Sequence, residues 1–212
     1  MNPLVPISLL ASFTLSAQAA STVSQTFVIG TQVPDNSAIG LSDTRHISSS
    51  ITSISEVNVQ IALSGGWAGD LYAYLTHGSG FTVLLNRPGK SLADIAGSGV
   101  SALSASFSDI HAADIHTALP ASGSVYGYFQ PDGRNIDPDN ALDTTPRTAL
   151  LSSFIGFDAS GDWTMYVADV SSGDTMTLES WSITITGVPE PATTTLVAVG
   201  ALCMLRRRRT TS

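Results

Sequence analysis

The sequence predicts an all-β fold, a two-layer sandwich or a barrel, and three observations predict it. Short runs alternate apolar and polar side chains with a period of two, polar Gly, Ser and Asp clusters separate them, and no segment sustains a helical period. The clearest run is 57–63, where Val57, Val59, Ile61 and Leu63 alternate with Asn58, Gln60 and Ala62. One face of that strand must lie on a core. Leu71, Ala73 and Leu75 share a side in 71–75, and 81–85 follows a Gly-Ser-Gly turn, so these two runs predict a hairpin. The run 101–107 alternates more weakly. In 163–167, Trp163, Met165 and Val167 alternate with Thr164 and Tyr166; after a Ser-Ser-Gly-Asp turn, Trp181, Ile183 and Ile185 repeat the pattern. Periodicity does not choose between sandwich and barrel. The best helical candidate is 148–154, where Leu150, Leu151 and Phe154 could form about two turns. From 109 to 146 the chain reads as one long irregular stretch, with Gly, Pro, Asp and Asn gathered in QPDGRNIDPDN.

The chain has 212 residues and a net charge of −8, enough length for one domain with a single core. All but one of its 17 acidic residues lie between Ala20 and Gly187, whereas four of its nine basic ones are the arginines at 206–209. The body is therefore strongly acidic, which argues against nucleic acid and anionic lipid as partners and for cations. The one cysteine, Cys203, sits in the C-terminal apolar run, so the body has neither a disulfide nor a thiolate metal cluster to stabilise it.

The first 19 residues carry an apolar run and close with Ala17-Gln18-Ala19, the small-x-small pattern of a signal peptide cleaved after Ala19. At the other end, Val188-Pro189-Glu190-Pro191 stops the last strand, an apolar segment covers 192–205, and Arg206, Arg207, Arg208 and Arg209 follow. At about 1.5 Å per residue, 192–205 reaches only about 21 Å, short of a hydrocarbon layer of roughly 30 Å. A transient membrane element is expected rather than a permanent span. This order of parts, Pro-Glu-Pro, apolar helix and basic cluster, resembles a PEP-CTERM sorting signal. The resemblance implies recognition of Pro189, Glu190, Pro191 and the four arginines by an exosortase in the cytoplasmic membrane, followed by removal of the tail. It also implies export to the cell envelope or surface of a bacterium that makes exopolysaccharide matrix. The arginines agree, since they halt translocation on the cytoplasmic side.

The body resembles the P domain, also called P/Homo B, that accompanies kexin-like and other subtilisin-type proteases. The matching residues are Trp67-Ala68-Gly69-Asp70-Leu71, the HGSG that follows, and GDWTMYVADVSSGDTMTLESWSITI, where Gly161, Trp163, Val167, Asp169, Gly173, Asp174, Leu178 and Trp181 stand where that family's motif has them. Met176 departs from it, a glycine being usual there. The middle stretch also resembles a version of the domain carried by many PEP-CTERM proteins of planctomycete and verrucomicrobial type. The resemblance implies a jelly-roll β-sandwich. The expected organisation is a signal peptide at 1–19, an N-terminal segment at 20–33, the P/Homo B-like sandwich at 34–187 and the sorting tail at 188–212, with a signal helix and a short apolar helix flanking the sandwich.

Candidate ligands are mostly aspartates. Asp132, Asp137 and Asp139, among Gly133, Asn135 and Asn140, offer closely spaced oxygens suited to calcium, without the order or terminal Glu of an EF-hand. Asp70, Asp169 and Asp174 form a second set, which the P-domain resemblance puts at strand ends where some members hold calcium. The alternative is that these aspartates cap turns through Asx hydrogen bonds, which needs no metal. His111 and His116, with Asp109 and Asp114 in DIHAADIH, have the ligand types of a transition-metal site, but their spacing of five is not that of a zinc helix. Of the tryptophans, Trp163 and Trp181 fall on core faces, and Trp67, in a Gly-Gly-Trp turn, is the one expected to be exposed for contact with a ligand such as sugar. The segments around His46, His77, His111 and His116 lack the setting of a Ser-His-Asp triad. The expected function is therefore a non-catalytic surface module associated with extracellular polysaccharide or envelope proteins. The rival expectation is an accessory to a separately encoded subtilisin-like protease.

Overall fold

The computed structural model describes residues 20–188. The expected signal peptide, with Ala17 and Ala19, and the sorting residues Pro189, Glu190, Pro191 and the arginines 206–209 lie outside the described residues. Nine strands form two sheets: β1 (Thr22–Gln32), β2 (Leu41–Ile47), β3 (Ile54–Ser64), β4 (Leu71–His77), β5 (Gly80–Asn86), β6 (Gly99–Phe107), β7 (Ser122–Phe129), β8 (Gly161–Asp169) and β9 (Thr177–Gly187). One sheet has the order β1-β9-β3-β6-β7 and the other β2-β8-β4-β5. All pairings are antiparallel except β6 with β7. Without β7, this is the eight-stranded, two-sheet jelly-roll, so the all-β sandwich is the fold and the barrel is excluded.

The six strands read from periodicity all form, and their apolar sides meet between the sheets. Val57, Val59, Ile61 and Leu63 of β3 face Leu71, Ala73 and Leu75 of β4 and Trp163, Met165 and Val167 of β8 within one buried cluster. Each fully buried aliphatic or aromatic side chain contributes about 1.5–3 kcal/mol relative to exposure. His77 closes one end, stacked flat on Trp163 at 4.1 Å, with its ring nitrogens 2.9 and 2.7 Å from the carbonyls of Asp162 and Asp158.

Three strands escaped the periodicity. β1 lies within the segment 20–33, which the sequence set apart from the sandwich; it pairs with β9 from Thr22↔Thr186 to Gln32↔Thr177 and is an edge strand of the larger sheet. Its half-buried Phe27 packs on Trp181 at 4.6 Å. β2 points Asp43 and Arg45 inward, which hides its pattern. Their charges are satisfied there: Arg45 donates to Asp43 at 2.9 Å, lies over the Phe27 ring at 5.2 Å, and the Trp181 indole donates to Asp43 at 2.7 Å. β7 interrupts the expected irregular stretch 109–146, its alternation masked by Gly123 and Gly127. In 148–154 only a short 3-10 turn, Leu151–Phe154, forms; the Asp109 carboxylate accepts from the amides of Leu151 and Ser152 at its start.

A buried ionic network holds the rest of the middle stretch. Asp132, expected as a calcium ligand, is fully buried, and protein donors take both its oxygens. Oδ1 accepts from the backbone and guanidinium of Arg134 at 3.3 and 3.2 Å, while Oδ2 accepts from the Asn86 amide at 3.2 Å and lies 2.8 Å from His116 Nδ1. Arg134 also holds Asp114 at 2.9 Å, and Arg147 donates to the carbonyls of Asp132 and Pro131. The chain is thereby pressed on the edge of β5, where the amides of Asp132 and Gly133 donate to the carbonyls of Leu84 and Val83. An open strand edge is thus covered. Removing one partner of such a group strands the others in the interior, so Asp132→Ala is expected to lower the unfolding free energy by about 3–5 kcal/mol, as measured by urea unfolding of the full chain.

Candidate functional site

The aspartates read as two ion-binding sets fare differently. Asp132 belongs to the network above. Asp137 accepts from the Asp139 amide at 2.9 Å and starts the 3-10 turn Pro138–Asn140, an Asx-type capping role. Asp139 projects into solvent, 3.8 Å from Arg87, and Lys90 donates to the carbonyls of Pro138 and Asp139. The three carboxylates are thus engaged separately and are not brought together. His116 and His111 also separate: His116 is buried between Asp132 and the Lys90 carbonyl, both at 2.8 Å, whereas His111 lies 3.0 Å from the Phe129 carbonyl and edge-on to Tyr128. His116 is thus an interior residue and does not meet His111 at a shared site. Both of its neighbours are acceptors, so the ring is satisfied as imidazolium. Burial pulls its pKa down, but the hydrogen bond and charge of Asp132 outweigh this and leave it raised.

Asp70 and Asp169 do come together, because β4 and β8 pair with Leu71 opposite Asp169. The Val170 amide donates to the Asp70 carbonyl and the Ser37 amide to that of Asp169. Asp35, which sequence reasoning missed, joins them electrostatically and accepts from the Gly173 amide at 3.3 Å. Asp174 adds its charge to that felt by Asp70. Asp169 is fully buried; its Oδ1 accepts from the Ser171 amide at 3.2 Å, while Oδ2 has no partner. Burial pushes its pKa up to about 6, against the Ser171 bond and with help from Asp70 and Asp35. Burial also raises Asp70, opposed by Ser171 and Arg87. Among the described residues no three Asp, Glu, His or Cys side chains converge as an ion cage. At Asp169 and Asp70, burial therefore favours the protonated form relative to an exposed carboxyl.

Beside this cluster opens a cleft of about 580 Å3, lined by Tyr72, Tyr74, Tyr166, Asn36, Asp137 and Asp139 among others. The tyrosines occupy the outer face of β4 and β8, with Tyr74 and Tyr166 stacked at 4.5 Å. Burial pushes the Tyr72 phenol up to about 12. Tyr166 donates to the Ala38 carbonyl at 2.5 Å, and the loop can run so close because Gly40, at φ +58°, has no side chain to strike the Tyr166 ring. Trp67 is not the exposed contact expected of it: it is half-buried, its indole nitrogen covered, and its ring lies where any side chain at position 99 would be, so Gly99 is required.

At the C-terminal end, residues 187–209 match the PEP-CTERM protein-sorting motif. The chain is thereby an exported protein that carries a sorting signal for an exosortase-type membrane enzyme, and its route leads across the membrane to the cell envelope. No curated protein matches it. Among solved structures, the serine protease of Aeromonas sobria is similar with a TM-score of 0.46 and 14% identity over 82% of this chain and 28% of that one. A structure described as the complex of that protease with its chaperone is similar with a TM-score of 0.45 and 16% identity over 80% and 27%. The chain thus spans little more than a quarter of the length of those it matches.

The raised pKa of Asp169 has a definite sign in stability. Between the ordinary value of 3.8 and about 6, the folded protein binds more protons than the unfolded one, so this group's contribution is full at low pH and is lost as pH rises through about 6. His116 acts alike: its contribution is full below its ordinary 6.5 and is lost above its raised value. Thermal melts should therefore show Asp169→Asn gaining stability relative to the unsubstituted chain as pH climbs from about 4 to about 7; parallel curves would dismiss the protonated carboxyl.

Proposed function

We propose that this protein is a non-catalytic β-sandwich module, exported, sorted through its C-terminal tail and associated at the cell surface with matrix polysaccharide. The observation that carries the non-catalytic reading is the engagement of its four histidines. His46 lies 2.8 Å from exposed Asp162, His77 between two carbonyls, His111 against a third, and His116 between Asp132 and a carbonyl. A hydrolytic triad needs an imidazole that accepts a proton from a nucleophile, and none of these four is hydrogen-bonded to a serine hydroxyl. The surface destination is supported by the sorting motif at 187–209. The surface destination and the acidic balance of the body are compatible with the matrix association. Replacing the arginines 206–209 by alanine should leave the protein unprocessed and move it from the surface to the membrane fraction or medium, as read by cell fractionation and immunoblotting. Normal surface display of that variant would count against tail-directed sorting, and peptidase activity of the purified chain against the non-catalytic reading.

A second reading concerns the strand-end aspartates. We propose that calcium replaces the proton at Asp169 once the pH exceeds its pKa, drawing Asp70 and Asp174, with Asp35, toward the unpartnered Oδ2. Oxygen-only ligands of high charge suit that ion, and deprotonation couples its binding to pH. Millimolar calcium should raise the melting temperature at about pH 8 and do so far less at about pH 5. Equal melts with calcium and with chelator at the higher pH would remove the ion.

A further inference from the structure

The outer face of the five-stranded sheet is chemically unlike the rest of this acidic chain. The register aligns Thr26, Ser182, Gln60, Ser106 and Tyr128 in one row across β1, β9, β3, β6 and β7. The row beside it is Val28, Ser180, Ala62, Ser104 and Tyr126. Neither row holds a carboxylate, ammonium or guanidinium, although the chain's net charge is −8. Five strands at about 4.8 Å spacing make this strip about 19 Å long. Its side chains are neutral, and all but Val28 and Ala62 carry a hydroxyl or an amide. It ends in two tyrosines that stand clear of the sheet, 79% and 73% exposed for Tyr126 and Tyr128. A cleft of about 340 Å3 lies along it, lined by Asn58, Gln60, Ser106, Ser182, Thr184 and Tyr128 among others, with His111 edge-on to the Tyr128 ring.

We infer that this strip binds a neutral polysaccharide, and the inference rests on the matrix association proposed above. A sugar ring offers an apolar C–H face and a rim of hydroxyls. Exposed phenol rings match the first, because they contribute apolar area at little entropic cost and keep a polar tip in water. Amides and hydroxyls in rows match the second, each being both donor and acceptor or carrying both groups. The absence of cations on the strip, with Glu56 at its margin held by the Asn58 amide at 3.0 Å, disfavours a uronate or sulfated chain. A protein partner of ordinary affinity is served less well, since hot spots are centred in buried aromatic and arginine anchors, whereas these tyrosines stand at one end of a flat hydroxylated surface. They differ too from Tyr74 and Tyr166, whose ring faces are spent on each other.

The test is binding of the purified full chain, in mild detergent, to immobilised neutral glycans (dextran, a β-glucan and a glucomannan) and to alginate as the anionic comparison. The inference expects retention on at least one neutral glycan and not on alginate, weakened about tenfold or more in Tyr126→Ala/Tyr128→Ala, with the melting temperature unchanged. Gln60→Ala should weaken it as well, and Tyr72→Ala in the other cleft should not. No retention on any neutral glycan, retention on alginate alone, or retention untouched by the double substitution would overturn it. So would a dimer seen by sedimentation and abolished by the same substitution, because the strip would then be covered by a second copy. If glycan binding fails while tail-dependent surface display persists, the inference falls and surface sorting stands. If display fails while binding holds, the reverse is true.

Discussion

A carboxylate kept from water must find donors for its lone pairs or lose its charge, and the two wholly buried among the described residues, Asp132 and Asp169, answer the requirement in opposite ways. Asp132 takes the first route, gathering Arg134, His116 and the Asn86 amide. What those contacts organise is larger than the group itself. They convert the long segment between β6 and β8 from loose chain into a cover for the β5 edge, and they set the turn that carries Asp137 and Asp139 onto the rim of the tyrosine-lined cleft. Asp169 leans to the second: with one oxygen unpartnered and Asp70 and Asp35 nearby, burial raises its affinity for a proton. The same physical demand therefore yields a structural anchor at one place and a responsive group at the other.

Beneath both lies an ordinary jelly-roll core. β9 runs between β1 and β3 and so joins the two ends of the described chain to its centre. Its inward Leu178, Trp181, Ile183 and Ile185 face the core, while its outward Ser180, Ser182 and Thr184 continue the neutral strip. One strand thus contributes to packing and to surface chemistry through alternation of its side chains, with a register shift at exposed Glu179 between Leu178 and Ser180. The outer faces of the two sheets have diverged under this shared scaffold. One crowds its tyrosines against a loop, with Asp137 and Asp139 on the rim; the other carries two central rows without a charged group, with Glu56 at the margin and two exposed tyrosines at one end. An exported protein with a sorting tail has use for surfaces of its own chemistry, and the sandwich supplies them without disturbing the core that separates them.

Legibility from sequence followed the strength of the alternation. Runs 57–63, 163–167 and 181–185 were plain because large apolar residues occupy every inward position. β2 was hidden because its inward positions include Asp43 and Arg45, which are tolerable only once Trp181 and Phe27 lie against them, contacts made across the sheets. β7 was hidden because two glycines blur its alternation and its outward positions are aromatic. β1 was overlooked because Gly30 and a shift in register break its pairing after Val28. In the candidate site, Asp70 and Asp169 were found through the motif that contains them, but Asp35 was not, since nothing in PDNS announces that the loop folds back on Gly173. Trp67 misled because a Gly-Gly-Trp turn reads as exposed, whereas β6 places Gly99 beneath the ring.

By itself, then, the sequence determined what depends on neighbours along the chain: strand period, turn positions, the acidic balance of the body and the sorting motif at its end. Each is a local pattern, read by water, by the backbone or by another enzyme before or apart from tertiary contact. Only the folded structure decided which aspartate is buried with donors and which without, which tryptophan is covered, and which tyrosines stand free. These outcomes turn on residues far apart in the chain, brought within hydrogen-bonding distance by strand register and by the docking of one sheet on the other. Desolvation, which sets the cost of every such group, has no value until that docking has occurred.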